Sequence, residues 1–357
     1  MSEKFNNTDD PDMATLDKIG GPVPAARKKR FGYLATLLAA VAVVALVARR
    51  EEAPLDVYRS ITELQFADNA LRNCVTEIAA QHGWSHVGLF TSLRCNNPSG
   101  DGIKSLAGIE HMVELTDINL AFNEVSDASA LAELPNLTIV DLSHNKIDQL
   151  PVFRSAHSLK RVDLNYNLLD SLAWLTSQHF QQLDSLSIAH NHVSDLTEVS
   201  LIEGLKELNI RNNRVSDITP ATAIPGLFML DAGANRLNDV SGIGALTELR
   251  RLFLDGNRIS TLDGLQGLSK LEELSLENNP LHSIAPLAGL EHLQRLNLDR
   301  TGIQSLADVL TLGDIEWLRV SGNPDLQCES ILAAVAEYGA PTVKFDQDCD
   351  AAGKPRQ

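Results

Sequence analysis

Apolar residues recur along most of this chain in one fixed phrase. One copy reads Leu159-Lys-Arg-Val162-Asp-Leu164-Asn-Tyr-Asn167; others run Leu205-Lys-Glu-Leu208-Asn-Ile210-Arg-Asn-Asn213 and Leu249-Arg-Arg-Leu252-Phe-Leu254-Asp-Gly-Asn257. Within each phrase, alternation such as Val162/Leu164 or Leu252/Leu254 has the period of a β-strand with one buried face. An aliphatic pair three residues apart follows: Val193/Leu196, Val215/Ile218, Ile259/Leu262, Ile303/Leu306. The closing asparagine stands at Asn123, Asn145, Asn167, Asn191, Asn213, Asn235, Asn257, Asn279 and Asn323. The step is 22 residues, apart from one of 24 before Asn191 and one rung where Thr301 replaces the asparagine. Self-similarity at this period predicts a solenoid, in which each unit buries its apolar face only against its neighbours. An asparagine side chain both donates and accepts, so it can satisfy backbone groups that a turn leaves unpaired. A column of them predicts an internal ladder, with Thr301 as its weaker rung.

The pattern L-x-x-L-x-L-x-x-N runs from Leu115 to Asn323 in ten consecutive copies and resembles the leucine-rich repeat family. The 22-residue unit is most similar to the internalin-like subclass, of exported bacterial type. This resemblance implies an α/β solenoid: a right-handed superhelix with a parallel β-sheet on its concave face, and short 3₁₀ or extended segments on the convex side. It also implies a non-catalytic protein-binding scaffold that uses the concave face for a protein or cell-envelope ligand. A cytosolic regulatory subunit, similar to phosphatase-binding repeat proteins of the same unit length, is the alternative.

Terminal repeats of a solenoid expose their core and need caps. Four cysteines flank the repeats: Cys74 and Cys95 before them, Cys328 and Cys349 after. The ends of about ten stacked strands lie roughly 50 Å apart at ~4.8 Å per strand, and a disulfide needs Cα atoms within ~7 Å. Only Cys74–Cys95 and Cys328–Cys349 satisfy that limit, which predicts disulfide-stapled caps. Asp68 as N-cap and Gly83 as stop predict a helix to His82 before the repeats. A second helix is predicted over Glu329–Tyr338, followed by a short strand, Thr342–Phe345.

Ahead of the first cap, Arg27-Lys-Lys-Arg30 precedes an uncharged stretch, residues 31–48. Its length, about 27 Å as a helix, approaches the ~30 Å hydrocarbon thickness. The basic residues lie on its N-terminal side, which by the positive-inside rule faces the cytoplasm. The segment reads as a transmembrane signal anchor: a single-pass inner (plasma) membrane protein with its repeats periplasmic or extracellular. Cleavage as a signal peptide after Ala48 is the competing reading, weakened by Leu46 at the third position before the cut. The domain organisation expected is a cytoplasmic disordered tail (1–30), the anchor (31–48), a linker and helical cap with a degenerate first repeat (49–114), the repeats (115–324) and a C-terminal cap and tail (325–357).

Charge narrows the partners. Net charge is −17; the first fifty residues contribute +3, which leaves −20 on the remainder. An acidic body argues against nucleic acid, whose phosphates demand basic neutralisation. No metal-ligand, nucleophile or phosphate-loop spacing occurs among the motifs, so neither a cofactor nor a catalytic residue is assigned. The open strand positions, read in register, give two candidate contact clusters. Phe122, His144, Tyr166 and His190 form a stripe just before the asparagines, beside Asp141 and Asp163. Arg251, Phe253, Arg295, Trp317 and Arg319 gather near the other end. Exposed aromatic and arginine side chains are the residues most often found to anchor interfaces.

Overall fold

In the computed structural model, the residues described are 55–97, 102–153, 156–176, 180–313, 315–347 and 349. Among them, twelve short strands, β1 (Ser92–Arg94) through β11 (Trp317–Arg319) and β12 (Val343–Lys344), form one parallel sheet in sequence order. Each repeat strand is three residues long with its central residue buried. Leu252, for example, pairs with Leu230 on one side and Leu274 on the other. The buried column runs from Ile118 through Leu318, and every member is at most 4% exposed. The aliphatic pair after each asparagine is buried too; Val215 and Ile259 are fully enclosed. Short 3₁₀ turns such as Ser129–Glu133, Ser241–Ala245 and Leu265–Gly267 return the chain to the next strand. The chain is thus the solenoid that its periodicity predicts.

The asparagines occupy one repeated geometry. Asn167 Nδ2 donates to Leu142 O in the preceding repeat at 2.9 Å and to its own Leu164 O at 3.1 Å, while its Oδ1 accepts from Ile147 N at 3.0 Å. Each side chain therefore ties two adjacent turns together. Thr301 departs from this pattern. Its hydroxyl donates to Leu298 O at 2.8 Å and no side-chain link reaches back to Leu276 O. Leu281 N is accepted instead by the Thr301 and Asn279 carbonyls, at 3.0 and 2.9 Å.

Both ends are capped. Helix α1 (Asn69–His82) begins at Asp68, whose Oδ1 accepts from Ala70 N and Leu71 N, and ends at Gly83 in the left-handed conformation. Asp68 Oδ2 also accepts from Lys104 N at 2.8 Å, joining cap to repeat. Burial raises this carboxyl's pKa, but the backbone donors Lys104, Leu71, Ala70 and Ser105 more than offset it, holding it below the ordinary value. Cys74 and Cys95 are bonded with Cα atoms 5.9 Å apart, and Cys328 and Cys349 at 5.5 Å. A four-residue helix α2 (Thr219–Thr222) lies within the repeats, and at the other end α3 (Cys328–Tyr338) starts at its cysteine and closes the stack.

The single-pass membrane assignment, with its transmembrane helix and signal anchor, requires correction. Among the described residues no helix is long and apolar enough to cross a membrane. The longest, α1 and α3, have 14 and 11 residues. At 1.5 Å per residue the longer reaches ~21 Å, short of a ~30 Å hydrocarbon core. The stretch expected to span, residues 31–48, lies outside the described residues, as does the tail before it. The placement in the inner membrane and the membrane contact through that stretch are therefore withdrawn.

Candidate functional site

Parallel sheets are nearly always covered on both faces. Here the convex side of each strand is buried, while the concave side, with its partly exposed flanking residues, is bare: the strand residues Glu207–Asn209 and Arg251–Phe253 both read half-exposed, buried, half-exposed. The bare face is an extended surface that the repeat architecture leaves free of packing, and the candidate contacts lie on it and on its rims.

The residue before each asparagine adopts a left-handed backbone. Phe122, His144, Tyr166 and His190 have φ of 59°, 55°, 56° and 56°, and the column continues through Asn212, Ala234, Gly256, Asn278, Arg300 and Gly322. For a residue other than glycine this conformation costs roughly 1–2 kcal/mol, and for a bulky side chain it is a genuine outlier. The fold admits glycine at this place, as Gly256 and Gly322 demonstrate. Four successive rings nevertheless stand there. They stack face to face, with centroids 4.2, 4.1 and 3.9 Å apart and planes within 12° of parallel. Because the ring faces cover each other, the edges project outward, and Phe122 and Tyr166 each remain 45% exposed. Asn212 Nδ2 lies 2.6 Å from His190 Nδ1 and closes the stripe. Burial lowers the pKa of His190, and the charges of Arg211 and His144 lower it further.

Acidic groups lie beneath the stripe. Asp141 Oδ2 accepts from Asn119 Nδ2 at 2.9 Å and its Oδ1 from Ser143 N at 3.0 Å. Burial raises the pKa of Asp163; the backbone donor Asn165 offsets part of this and the Asp141 charge adds to it. Farther along, Arg211 bridges Asp231 at 3.3 Å and Asp255 at 2.5 Å. A Cβ at Gly233 would lie 2.3 Å from the Arg211 guanidinium, so the glycine leaves room for the bridge. This network was not among the sequence candidates. Its signal was present in the column two places before each asparagine, where Arg211, Gly233 and Asp255 stand in successive repeats.

The second candidate cluster divides. Arg295 and Trp317 are direct neighbours in the sheet and, with Glu273 and Glu316, line a groove of about 420 Å³. Arg319 lies over the Trp317 ring at 5.8 Å and pairs with Asp299 at 2.5 Å. Arg251 stands two strands away; its guanidinium covers Phe228 at 5.2 Å. Phe253 has Ser275 and Asp231 as its neighbours in register, separate from the groove. Among the described residues no three His, Cys, Asp or Glu side chains gather as a metal-binding set.

Family profiles described as leucine-rich repeats match residues 135–193 and, as a two-copy unit, 113–155. No curated protein sequence matches the chain. Among solved structures, an internalin (inlF) of Listeria monocytogenes superposes with a TM-score of 0.69 at 22% identity, over 83% of this chain and 93% of that one. A leucine-rich repeat protein of Leptospira interrogans, LIC12759, gives 0.61 at 26% identity, covering 67% of this chain and 62% of its own. The ectodomain of a plant receptor kinase of Arabidopsis thaliana, GASSHO1/SCHENGEN3, solved in complex with Casparian strip integrity factor 2, gives 0.50 at 18% identity, over 62% and 30% respectively. The matched profiles and the shared architecture agree with the strand register and the asparagine ladder: residues 113–193 carry leucine-rich repeats, and the chain has the same solenoid fold as the internalin structure.

Proposed function

We propose that this protein is a non-catalytic scaffold that binds a protein partner across its concave face. The observation that carries this reading is the ring stripe: Phe122, His144, Tyr166 and His190 stack in line on a left-handed turn, with Phe122 and Tyr166 left exposed. Strain of this kind persists where a site needs it. Arg295, Trp317 and Arg319 supply a second contact region, of the residue types that dominate interface energies. Arg251 and Phe253 act as separate contacts between the two. The similar plant ectodomain was solved with a bound protein, which supports the same use here. The paired cysteines favour an oxidising compartment and so an exported protein. They disfavour a cytosolic phosphatase-regulatory role.

The test is capture from an extract of the source organism on the immobilised full chain. A His144→Gly/Tyr166→Gly variant and a Trp317→Ala/Arg319→Ala variant are compared with a Leu201→Ala control on a 3₁₀ turn outside the strands. Wild type and control are expected to retain the same proteins and the concave variants to lose them. Unchanged capture by both concave variants would sink the reading.

A further inference from the structure

One column of side chains lies on the turn that leaves each strand, immediately after the asparagine. In four successive repeats it holds His192, Arg214, Arg236 and Arg258, all exposed. Their backbone N–H groups donate to Leu169, Val193, Val215 and Leu237 carbonyls in the preceding turn, each at 2.8 Å. The fold therefore fixes them at one equal step, ~4.8 Å from strand to strand. Among the described residues, none of the three guanidiniums makes an ion pair or side-chain hydrogen bond. The contrast within the same column is Lys146, which pairs with Glu124 at 2.6 Å. The nearby acids are engaged elsewhere. Asp195, Asp217 and Asp239 accept from the backbone N–H groups of Thr197, Thr219 and Ser241 at 2.8–2.9 Å. Asp231 and Asp255 are bridged by Arg211.

Three unpaired guanidiniums in line on a chain of net charge −17 are not explained by folding. The column accepts Leu168 and Pro280 in other repeats, so no packing need selects arginine. Guanidiniums this close repel one another, and a row of carboxylates placed along them relieves that repulsion through charge-assisted, two-pronged hydrogen bonds. We propose that the ladder Arg214–Arg236–Arg258, led by His192, receives an extended acidic segment of the partner protein. This rests on the protein-binding reading above and names the chemistry of part of that partner. Position favours a polypeptide over a polyanionic glycan. The ladder begins at His192, two residues past His190, the last ring of the stripe. An occupant crossing both must offer carboxylates to the arginines and apolar or aromatic groups to the ring edges.

The experiment uses the full chain and fluorescence anisotropy with a labelled peptide of alternating glutamate and tyrosine. Its lysine counterpart and the sulfated polysaccharide heparin serve as the other probes. The glutamate peptide is expected to bind and the lysine peptide not to bind. Arg214→Gln/Arg236→Gln/Arg258→Gln is expected to weaken binding about 10- to 30-fold, the scale of three rim contacts, and Arg236→Gln alone about 3-fold. Circular dichroism checks that each variant remains folded. Equal affinity of the triple variant, or binding of heparin without binding of the glutamate peptide, overturns the proposal. The same variants in the extract capture separate the two readings. If the ladder variant still retains the partner that Tyr166→Gly loses, the ladder fails and the scaffold reading stands. If the peptide binds through the arginines while both concave variants capture as wild type does, the concave reading fails and the ladder stands.

Discussion

Replacing Asn167 by alanine tests how the ladder holds the site. Its side chain donates to Leu142 O at 2.9 Å, Leu164 O at 3.1 Å and Asn165 O at 3.3 Å, and accepts from Ile147 N at 3.0 Å. Two amide protons shared among three carbonyls plus one acceptor amount to about three effective hydrogen bonds, each worth ~1 kcal/mol net. Truncation also leaves the buried Ile147 N–H without a partner, a penalty of ~1–3 kcal/mol by itself. The loss expected is therefore ~4 kcal/mol. Thr301 provides the internal scale, because its hydroxyl donates a single bond to Leu298 O and a long contact, 3.2 Å, to Asn323 Oδ1. Thr301→Ala is expected to lose ~1 kcal/mol. Repeat arrays need not unfold in one step, so the assay is native-state hydrogen exchange read at the Ile147 amide, with urea unfolding alongside. A 4 kcal/mol loss corresponds to roughly a 1000-fold fall in protection. Tyr166 sits between Asn165 and Asn167, so its stacking should loosen as well. If Asn167→Ala costs no more than Thr301→Ala, the ladder is not what ties the turns together.

Tyr166→Gly relieves a left-handed backbone costing ~1–2 kcal/mol and removes two stacked contacts worth ~0.5–1.5 kcal/mol each. Thermal unfolding should therefore shift little while partner capture is lost. Asp163→Asn should raise stability at neutral pH. Its carboxyl is pushed above the ordinary range by burial and by Asp141, so the wild-type deficit exists above that folded pKa and disappears as pH falls through it toward the unfolded value, ~3.9. Equal denaturation midpoints at pH 7 would refute this. Asp68 has the opposite sign: its folded pKa is lowered, so its charge stabilises above ~3.9 and that contribution is lost as pH falls through the folded value. Asp68→Asn should show a shallower acid loss than wild type. Removing the C-terminal staple with Cys328→Ser/Cys349→Ser should cost ~3 kcal/mol in the chain-entropy account, seen first as exchange in α3.

The fold was legible because its period is carried by buried positions. Only an aliphatic side chain fits the closed column from Ile118 to Leu318, so those residues could hardly vary and the strand step is visible. The same holds for the cysteine pairs, whose positions on either side of the stack left one geometry open. The left-handed backbone before each asparagine was not legible, because the residues there range from glycine to tyrosine. Stacking of the four rings followed only once that backbone aimed them alike. Arg251 shows the limit from the other side. Its column placed it with Arg295, but its long side chain turned toward Phe228, one strand away. Register assigns a residue to a column; rotamer and neighbour decide which surface it joins. The expected membrane span fell on residues 31–48, outside the described residues, and hydropathy alone gave it no structural support.

The concave acids and rings together argue that this face is retained against a cost in stability. Burial opposes the charge on Asp163 and also on Asp231, the latter only partly offset by a backbone donor and Arg211. The left-handed rings add strain of the order of 1–2 kcal/mol apiece. Glycine in place of the rings and asparagine in place of the acids would each lower that cost without disturbing a buried aliphatic residue. Gly256 and Gly322 show that the same turn closes without a side chain, so no ring is needed there for folding. Stability conceded on one surface, while the core column remains closed, is the pattern expected where activity needs groups that folding does not. The stacked rings lie in the N-terminal repeats, so the partner's principal contact should lie across repeats 115–191, with the later repeats contributing charge. Alanine scanning of both halves would measure this directly: the larger losses of captured partner should fall on Phe122, His144, Tyr166 and His190. A partner lost chiefly through Trp317→Ala would place the main contact at the opposite end.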